Sequence, residues 1–376
     1  MKILHFVRSC ANDHGAYYFL KKLEDESKKY NIDHYYLAYE RDSDHPNQLS
    51  LCPVMEDINL EEYVNKTVNP DVVHFHDVNS YYILGKTDKH RKFYELAFQR
   101  KCVRTLHDYS SIACPMYFTE GEKHGECQSV LSKNCIGKCL DEDIAARYSE
   151  YIESLNHYDC ITYFSDDTER RINSYKKLNV KKYKMPPLIA PIPVARPSDN
   201  TIVFAGRVIP QKGVHVLIEA LARMDCKDWF AYIIGTVQPL YLRQLSKLIR
   251  KFGLVDKITF LDHVPQKDLF QVYEKAKVMA FPSISHETFG MSGAEAVAAG
   301  IPVVAFQIDG IGEWLQDGIN GRIVKQGDIG AYAAALNEIL TDDNIYNSYH
   351  ENAMKWRADL DYPGQVSSLC NMYLTL

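Results

Sequence analysis

The chain has 376 residues, of which 46% are hydrophobic and 24% are charged, and its formal net charge is −6 at pH 7. This length exceeds the size at which a single hydrophobic core stops growing, so we expect two domains. The mildly acidic balance excludes the strongly basic surface that is typical of a nucleic-acid-binding protein, and the composition indicates a globular chain rather than a disordered one.

The N-terminus and the cysteines indicate the compartment. The segment MKILHFVRSC is apolar only over the length of a strand, which argues against a cleavable signal peptide, and no apolar stretch reaches the length of a membrane span. The ten cysteines, without a secretory signal, are typical of reduced thiols or metal ligands. We therefore expect a cytoplasmic protein.

Short apolar runs alternate with helical patterns along the chain, which predicts parallel βαβ units. In the first half, MKILHFV precedes the helical pattern AYYFLKKLEDESKKY, and the runs DVVHFHD and KCVRTLHD follow. A proline-rich stretch at 185–197 forbids helix and interrupts the alternation, which then resumes. The later strand candidates are TIVFAGR, WFAYIIG, KITFLDHV, KVMAFPS and PVVAF.

This alternation predicts an α/β protein with two Rossmann-like domains, each built on a doubly wound parallel sheet, that face each other across a cleft. The first domain would span residues 1–187, the linker residues 188–198 and the second domain residues 199–356. The tail 357–376 ends in a segment amphipathic enough to form a helix that packs back on the first domain. Open α/β sheets bind ligands at the carboxyl ends of their strands, so we expect the functional site there.

Two acids lie eight positions apart where a predicted strand ends and a helix starts. Glu287 falls in the loop after KVMAFPS, and Glu295 falls one turn inside a helix that begins near Met291. The first-turn amides of that helix form a site for a phosphate group, because Gly290 places no side chain in the way. Carboxylates beside such a site are suited to accept hydrogen bonds from hydroxyl groups. The pair therefore predicts a sugar or ribose ligand, and a helix cap with a solvated glutamate is the alternative.

A second group of candidates follows the strand pattern TIVFAGR. Gly206 and Arg207 end this strand, and Lys212 follows five residues later. A guanidinium and an ammonium group at a strand end can neutralise the charge on a departing diphosphate. Exposed basic residues are also common on solvated surfaces, so this group alone leaves both interpretations open.

Together these motifs resemble the retaining nucleotide-sugar glycosyltransferases of the large group 1 family (family 4), which have the GT-B architecture of two Rossmann-like domains. The resemblance is carried by Gly206-Arg207 with Lys212-Gly213, by HETFGMSGAEAVAAGIPVVA and by DGIGEWLQDGINGRIV at 309–324. It is strongest over residues 199–330.

The resemblance implies a role for each candidate in the second half. Arg207 and Lys212 would hold the diphosphate of the donor, Glu287 would meet the donor sugar, and Glu295 would bind the ribose of the nucleotide. The other implied donor contacts are Gly206, Phe289, Gly290, Met291, His263 and Val264, the last two beside the base.

The first half carries fewer matches to this family. His107 follows a predicted strand where the family often has a histidine that contacts the donor sugar, although His107 and Asp108 could instead cap a turn. Gly15 stands alone where the family often has a Gly-Gly pair close to the donor phosphate and the acceptor, and this is a departure from the family pattern on the acceptor side. His76 ends the strand candidate DVVHFHD, and its role stays open.

A cysteine-containing loop and two lysine-rich segments remain. Four thiolates in that loop could hold a structural zinc ion, whereas their spacing differs from the usual C-x2-C pairs and favours ordinary reduced thiols. Lysines are dense at 176–184 and 86–92, which is usually a solvated surface but could also hold the protein against anionic lipid headgroups. The four cysteines are Cys114, Cys127, Cys135 and Cys139.

The sequence therefore predicts an enzyme that moves a sugar from a nucleoside diphosphate sugar, with UDP favoured, to a hydroxyl group of a glycan or lipid-linked acceptor. Retention and a role in cell-surface polysaccharide or glycoconjugate synthesis are implied by the resemblance. We expect no cofactor for catalysis, no nucleic-acid partner, and a cytoplasmic location with possible peripheral contact at the inner face of the membrane. The alternatives are a non-catalytic sugar-nucleotide-binding protein and an epimerase or phosphorylase of the same fold.

Overall fold

The computed structural model divides the chain into two compact units. The first unit comprises Met1–Leu188 together with Tyr362–Leu376, and the second comprises Ile189–Asp361. The residues that the structure describes are 1–7, 15–39, 53–76, 88–107, 109, 152–174, 178–185, 188–189, 191–262 and 264–376.

Each unit is built on a six-stranded sheet whose neighbouring strands are all parallel. The strands of the first sheet are β1 (Lys2–Val7), β2 (Asp33–Ala38), β3 (Val72–His76), β4 (Lys101–Thr105), β5 (Cys160–Tyr163) and β6 (Lys181–Lys184). Those of the second are β7 (Thr201–Ala205), β8 (Phe230–Ile234), β9 (Ile258–Leu261), β10 (Val278–Phe281), β11 (Val303–Phe306) and β12 (Gly321–Val324). The prediction of two doubly wound parallel sheets is confirmed.

Helices alternate with these strands along the chain. In the first unit they are α1 (Gly15–Ser27), the short α2 (Leu60–Glu62) that continues as a π-helix (Tyr63–Val68), α3 (Asp88–Ala97) and α4 (Asp166–Ser174). In the second unit they are α5 (Val214–Arg223), α6 (Pro239–Lys251), α7 (Gln266–Lys275), α8 (Met291–Ala298), α9 (Ile329–Thr341) and α10 (Asp343–Ala358). The last helix, α11 (Tyr362–Leu374), belongs to the first unit.

The first sheet has one apolar face and one face with a buried polar stripe. Successive side chains of a strand point to opposite faces, so Phe6 and Phe75 lie in the hydrophobic core while their neighbours point the other way. Those neighbours include His5, His74 and His76, which are completely buried. A buried polar side chain is costly unless it is hydrogen-bonded, so this stripe has to provide its own partners.

The second sheet has the strand order β12-β11-β10-β7-β8-β9. Every residue of β7, β10 and β11 is buried, as expected for parallel strands that are covered by helices on both faces. The chain order reverses between β7 and β10, which lie side by side. Such a switch point is where open α/β sheets bind ligands, because the loops that follow the two strands diverge.

At this switch point the loop after β7 lies directly against the end of β10. The amide of Ile284 donates a hydrogen bond of 3.0 Å to the carbonyl oxygen of Gln211. Gly213 has φ +70°, and a Cβ atom there would lie 1.9 Å from the carbonyl oxygen of Pro282. Only glycine permits this approach, so the sequence at position 213 decides how close the two loops can come.

The proline-rich connector contributes hydrogen bonds to the second unit. The amide of Ala195 donates to the carbonyl oxygen of Ala299 at 2.7 Å, and the amide of Arg196 donates to that of Glu274 at 2.7 Å. Within the described part of the chain, no helix is both long enough and apolar enough to cross a membrane.

We predict that Gly213→Ala destabilises the second unit far more than Gly253→Ala. Both glycines have nearly the same positive φ, +70° and +67°, but a Cβ atom at Gly253 meets nothing within 4 Å. The control therefore carries only the conformational cost, about 1–2 kcal/mol, while Gly213→Ala adds a clash with backbone.

Urea denaturation followed by tryptophan fluorescence measures this difference. The three tryptophans, Trp229, Trp314 and Trp356, all lie in the second unit, so the signal reports that unit alone. Equal midpoints for the two variants would contradict the close approach.

Candidate functional site

The loop between β10 and α8 carries a carboxylate that contacts a lysine from the neighbouring loop. Lys212 Nζ donates a hydrogen bond to Glu287 Oε1. The hydroxyl of Ser283 donates to the same oxygen at 2.9 Å. The side chains of Lys212 and Glu287 are 23% and 17% exposed, so the pair is largely desolvated yet remains accessible. The structure thus brings together two of the predicted site residues and adds Ser283, which the sequence analysis missed.

Contacts of the loop around Glu287 hold it in this position. The hydroxyl of Ser285 donates to the carbonyl oxygen of Gln211 at 3.4 Å. The hydroxyl of Ser283, whose proton goes to Glu287, lies at the same distance from that oxygen. Gly310 has φ +82°, and a Cβ atom there would lie 2.1 Å from the carbonyl oxygen of Glu287. Glu287 is therefore held by contacts of its loop with the loops that follow β7 and β11.

Arg207 lies at the carboxyl end of β7 and is exposed. It makes no ion pair within the part of the chain that the structure describes. Beside it, Gly206 and Gly235 allow two strand ends to touch, since a Cβ atom at Gly235 would lie 2.1 Å from the carbonyl oxygen of Gly206. The guanidinium group thus stands on a rigid strand end, where it is available to an anion.

Helix α8 begins at the glycine that the sequence analysis singled out. Gly290 is its N-cap residue with φ +82°, and no side chain caps the helix. The amides of Gly293 and Ala294 donate back to the carbonyl oxygen of Gly290, at 3.1 and 3.2 Å. Together with the helix dipole, the first-turn amides ahead of them, on Met291 and Ser292, are suited to an anionic group.

Trp314 fixes the entry to this helix. Its indole Nε1 donates to the carbonyl oxygen of Phe289 at 2.5 Å, and the ring is buried. A Cβ atom at Gly293 would lie 2.2 Å from the ring, so the helix can only pack here with glycine at that position. The resemblance already included this tryptophan in DGIGEWLQDG, but no periodicity in the sequence indicates which helix it contacts.

Glu295 is half-buried on α8 and lies close to Tyr273 of α7. Burial, together with the negative charge of Glu295, raises the pKa of Tyr273 well above its usual range. The phenol donates to the carbonyl oxygen of Ser292 at 3.4 Å. The second acid of the pair thus lies beside a neutral phenol, whereas Glu287 contacts a cation.

His286 precedes Glu287 and contacts Asp309, and the sequence analysis assigned neither residue. Nδ1 of His286 lies 2.9 Å from Oδ2 of Asp309 and 3.3 Å from the amide nitrogen of Asp309. Burial lowers the pKa of His286 to about 4, although the charges of Asp309 and Glu287 oppose the shift. The ring is therefore neutral at pH 7.

In the first unit, His107 lies just beyond β4 and is half-buried. Its Nε2 is 2.8 Å from Nδ1 of His76, which in turn hydrogen-bonds through Nε2 to Nδ1 of His5 at 3.0 Å. The predicted candidate His107 is thus connected to His76, whose role the sequence left open. Gly15 is the first residue of α1, and residues 8–14 before it lie outside the described residues.

Several predicted positions lie outside the described residues. His263 and Asp108 are among them, while Val264 is half-buried between β9 and α7. The predicted zinc ligands also lie outside the described residues, so the zinc hypothesis stays a prediction: Cys114, Cys127, Cys135 and Cys139.

Comparison with known families agrees with this geometry. Residues 189–356 match the family model described as glycosyl transferases group 1. The chain is 36% identical over 175 residues to D-inositol 3-phosphate glycosyltransferase of Mycolicibacterium smegmatis, a match covering 46% of this chain and 38% of the relative. It is 32% identical over 186 residues to the enzyme of the same name from Corynebacterium urealyticum, covering 48% and 44%. These matches thus span less than half the length of the curated relatives.

Solved structures resemble the chain over its whole length. A sucrose-phosphate synthase from Thermosynechococcus elongatus has a TM-score of 0.77 at 17% identity, with 100% of this chain and 99% of that chain covered. Anabaena HepE in complex with UDP-glucose has a TM-score of 0.76 at 18% identity, with both chains fully covered at 100%. Staphylococcus aureus TarM has a TM-score of 0.73 at 11% identity, with 99% of each chain covered.

The fold and the family of the second unit follow from these comparisons. The chain has the GT-B fold, as the sequence predicted. Its second unit is a group 1 glycosyltransferase domain, which confirms the resemblance drawn from the Gly206-Arg207, Lys212 and Glu287 motifs.

We predict that the first unit loses stability as the pH falls from about 6.5 to 4. Burial lowers the pKa of His5, His74 and His76 well below 6.5 and that of His34 to about 4. Below pH 6.5 these histidines therefore bind protons in the unfolded chain but stay neutral in the folded unit. The free energy of unfolding decreases with falling pH as a result. Each fully buried ring contributes about 1.4 kcal/mol per pH unit within this window.

Urea denaturation at pH 7.5 and pH 5.0 checks this. Circular dichroism reports both units, and tryptophan fluorescence reports the second, in which burial lowers the pKa of His286. From pH 7.5 to pH 5.0, the urea midpoint of the transition seen only by circular dichroism should fall more than the midpoint seen by fluorescence. An equal fall in both midpoints would count against buried neutral histidines in the first unit.

Proposed function

We propose that this protein is a retaining glycosyltransferase that moves a sugar from a nucleoside diphosphate sugar to a hydroxyl group of a glycan or lipid-linked acceptor. The observation that carries the proposal is the contact of Lys212 and Ser283 with Glu287, three residues ahead of the uncapped N-terminus of α8. The loops that follow β7 and β10, here called the loop system, bring together a cation, a carboxylate and the first-turn amides of α8. These groups are suited to a ligand with both phosphate and hydroxyl groups.

The charges in this loop system suggest how the donor is activated. In the reaction the bond between the anomeric carbon and the diphosphate oxygen breaks, and negative charge grows on the departing diphosphate. Lys212, Arg207 and the amides of Met291 and Ser292 can stabilise that charge, since preformed donors act most strongly where charge develops. These groups supply the electrostatic work without a catalytic metal ion.

In this proposal Glu287 contacts the sugar of the donor rather than its phosphates. Its carboxylate accepts hydrogen bonds from sugar hydroxyls, and it favours positive charge on the anomeric carbon. The acceptor oxygen forms the new bond on the face that the diphosphate leaves, and the acceptor proton passes to the departing diphosphate, which gives retention without a covalent intermediate. A glycosyl ester trapped on Glu287 would refute this route.

Donor and acceptor classes rest on relatives and on the resemblance. Anabaena HepE has been solved with UDP and with UDP-glucose, which supports UDP as the nucleotide. We assign Glu295 to the ribose and His107 to the donor sugar. Staphylococcus aureus TarM was solved with UDP, fondaparinux and α-GlcNAc-glycerol, which supports a glycan-type acceptor and a role in cell-surface polysaccharide or glycoconjugate synthesis. Further proposed donor contacts are Gly15, Gly206, Phe289, Gly290, Val264 and His263.

A cytoplasmic site of action, with peripheral contact at the inner face of the membrane, completes the proposal. Lys181, Lys182 and Lys184 are exposed on β6, the edge strand of the first sheet. Lysines on an edge strand also prevent pairing with other chains, so their presence has a second physical explanation.

Vesicle flotation distinguishes these explanations. We predict that the protein floats with vesicles that contain anionic lipid, less so at high salt, and not with neutral vesicles, because screening weakens attraction to headgroups. If the protein floats at no salt concentration, the remaining role of the lysines is to prevent the edge strand β6 from pairing with other chains.

We predict different effects of Lys212→Met and Glu287→Gln on binding and on turnover. Lys212→Met should weaken UDP binding at least about tenfold and lower turnover at least about a hundredfold, since it removes a contact to the diphosphate. Glu287→Gln should bind UDP as well as the wild type or better, because it leaves Lys212 without its carboxylate partner, yet it should lose most of its turnover.

Calorimetry with UDP and donor consumption with a panel of acceptors measure the two effects. Arg223→Ala and Glu219→Gln are matched controls, because Arg223 and Glu219 form an ion pair at 3.7 Å within α5 of the same unit. Tight UDP binding with no turnover over the whole panel would instead indicate a sugar-nucleotide-binding protein. Turnover that needs no separate acceptor would indicate an epimerase or a phosphorylase of the same fold.

A further inference from the structure

Four imidazole rings and one hydroxyl form a continuous hydrogen-bonded row across the first sheet, which we call the histidine array. It begins at Ser27, the last residue of α1, and ends at His107. Its links are Ser27 Oγ to His34 Nε2 at 2.6 Å, His34 Nδ1 to His5 Nε2 at 2.7 Å, His5 Nδ1 to His76 Nε2 at 3.0 Å, and His76 Nδ1 to His107 Nε2 at 2.8 Å.

The array follows from the strand pattern of the first sheet. His5 of β1 and His76 of β3 point away from the apolar core, onto the opposite face of the sheet. In the sheet, β1 lies between β2 and β3. His34 of β2 and His107 beyond β4 extend the row to either side. Three of the five members, Ser27, His5 and His76, are completely buried, so their polar atoms depend on these links for hydrogen bonds.

Every ring in the array uses its nitrogens in the same sense. Each Nε2 faces the Ser27 end, and each Nδ1 of His34, His5 and His76 faces the His107 end. A neutral imidazole has one N–H donor and one lone-pair acceptor. The four rings must therefore share one tautomer, either Nε2–H throughout or Nδ1–H throughout, because a mixture would place two donors or two acceptors against each other.

The buried rings are neutral. Burial lowers the pKa of His5 and His76 well below their usual range, and that of His34 to about 4. The positive charges of neighbouring histidines would lower the pKa of His76 further. A proton that travelled along the row would have to rest on these rings, so the array is better suited to fix a tautomer than to carry protons.

Ser27 decides between the two tautomers. Its Oγ lies 3.2 Å from the carbonyl oxygen of Glu24, which can only accept. A hydroxyl has a single proton, so both contacts of Ser27 are satisfied only if it donates to Glu24 and accepts from Nε2–H of His34. The Nε2–H form then propagates through His5 and His76 to His107, whose Nδ1 becomes the acceptor nitrogen.

We propose that the histidine array holds His107 as the neutral Nε2–H tautomer, so that Nδ1 of His107 acts as an acceptor, and not as a donor, toward a hydroxyl group. Ser27, His34, His5 and His76 are thus positioning residues for His107. That the hydroxyl belongs to the donor sugar rests on the proposed function, whereas the tautomer does not.

A metal ion is the competing explanation for part of this cluster. Ligand atoms of His5, His74 and His76 lie within 4.8 Å of one another, and all three residues are buried. However, both nitrogens of His74 already have partners, Tyr373 Oη at 2.5 Å and Thr105 Oγ1 at 2.6 Å. His5 and His76 are likewise hydrogen-bonded through both nitrogens. The six nitrogens favour hydrogen bonds over metal coordination.

Nitrogen-15 NMR of the histidine-labelled full chain at pH 7.5 tests the proposal. Two-bond proton–nitrogen correlations separate the Nε2–H, Nδ1–H and doubly protonated rings, and His107→Gln assigns the signal of His107. The expected result is Nε2–H for His107, with the same tautomer for His5, His34 and His76. An Nδ1–H or charged His107 overturns the proposal, as does a stoichiometric transition metal in the purified protein that is lost in His5→Phe.

Ser27→Ala provides a second test with its own control. Without the serine acceptor, the Nε2–H of His34 loses its partner, so we expect a measurable fraction of His107 to change to Nδ1–H, and Ser27→Thr should restore the wild-type tautomer. In the transferase assay, Ser27→Ala should raise the donor KM about fivefold with kcat nearly unchanged, the size expected for one hydrogen bond. An unchanged tautomer in a folded Ser27→Ala variant counts against the array.

The two readouts separate the two proposals. If no transferase activity is found, the tautomer measurement still decides on the array. If His107 is Nε2–H and Ser27→Ala leaves the donor KM unchanged, the array stands but its proposed use for the donor sugar fails.

Discussion

The structure of the candidate site depends on one close approach of backbone, that of Gly213 to Pro282. β7 and β10 are neighbours at the point where the strand order reverses, so their following loops are the ones that can meet. Because residue 213 has no side chain, the loops touch, and Lys212 reaches the carboxylate of Glu287. The chemistry of the site is therefore a consequence of strand order and of one missing Cβ atom.

The contact between Lys212 and Glu287 has an energetic consequence. Two charges that are largely removed from water are costly alone and stabilise each other as a pair. When the loops hold no ligand, the pair compensates itself, with Ser283 as a second donor to the carboxylate. A diphosphate can bind the ammonium group of Lys212, and sugar hydroxyls can then replace the ammonium group as donors to the carboxylate of Glu287. A donor with both parts therefore compensates both charges. This favours a complete sugar nucleotide over a free sugar as the ligand.

Much of the fold and part of the site could be predicted from the sequence. Alternating apolar runs predicted the two parallel sheets, because strand and helix periods are local properties. Glu287 and Gly290 were found because a loop between a buried strand and a helix is visible in the sequence. The contact of Ser283 with Glu287 was missed, since it depends on a backbone turn that composition does not reveal.

Other features depend on contacts between distant segments. The histidine array joins the end of α1, the strands β1, β2 and β3, and the segment after β4. Only the register of the sheet brings its four histidines into one row. Likewise, Trp314 and Gly293 are far apart in the chain, and their fit is set by packing rather than by any local pattern. Sequence periodicity identified His76 and His107 as strand-end residues, but it could not show that they are bonded to each other.

A crystal structure of the protein with bound UDP tests the central claim most directly. We predict that the β-phosphate lies within hydrogen-bonding distance of Lys212 Nζ and of a first-turn amide of α8, with Glu287 left for the sugar. A nucleotide bound elsewhere would contradict the claim. So would a bound nucleotide whose phosphates face other residues and that leaves the contact between Lys212 and Glu287 unchanged.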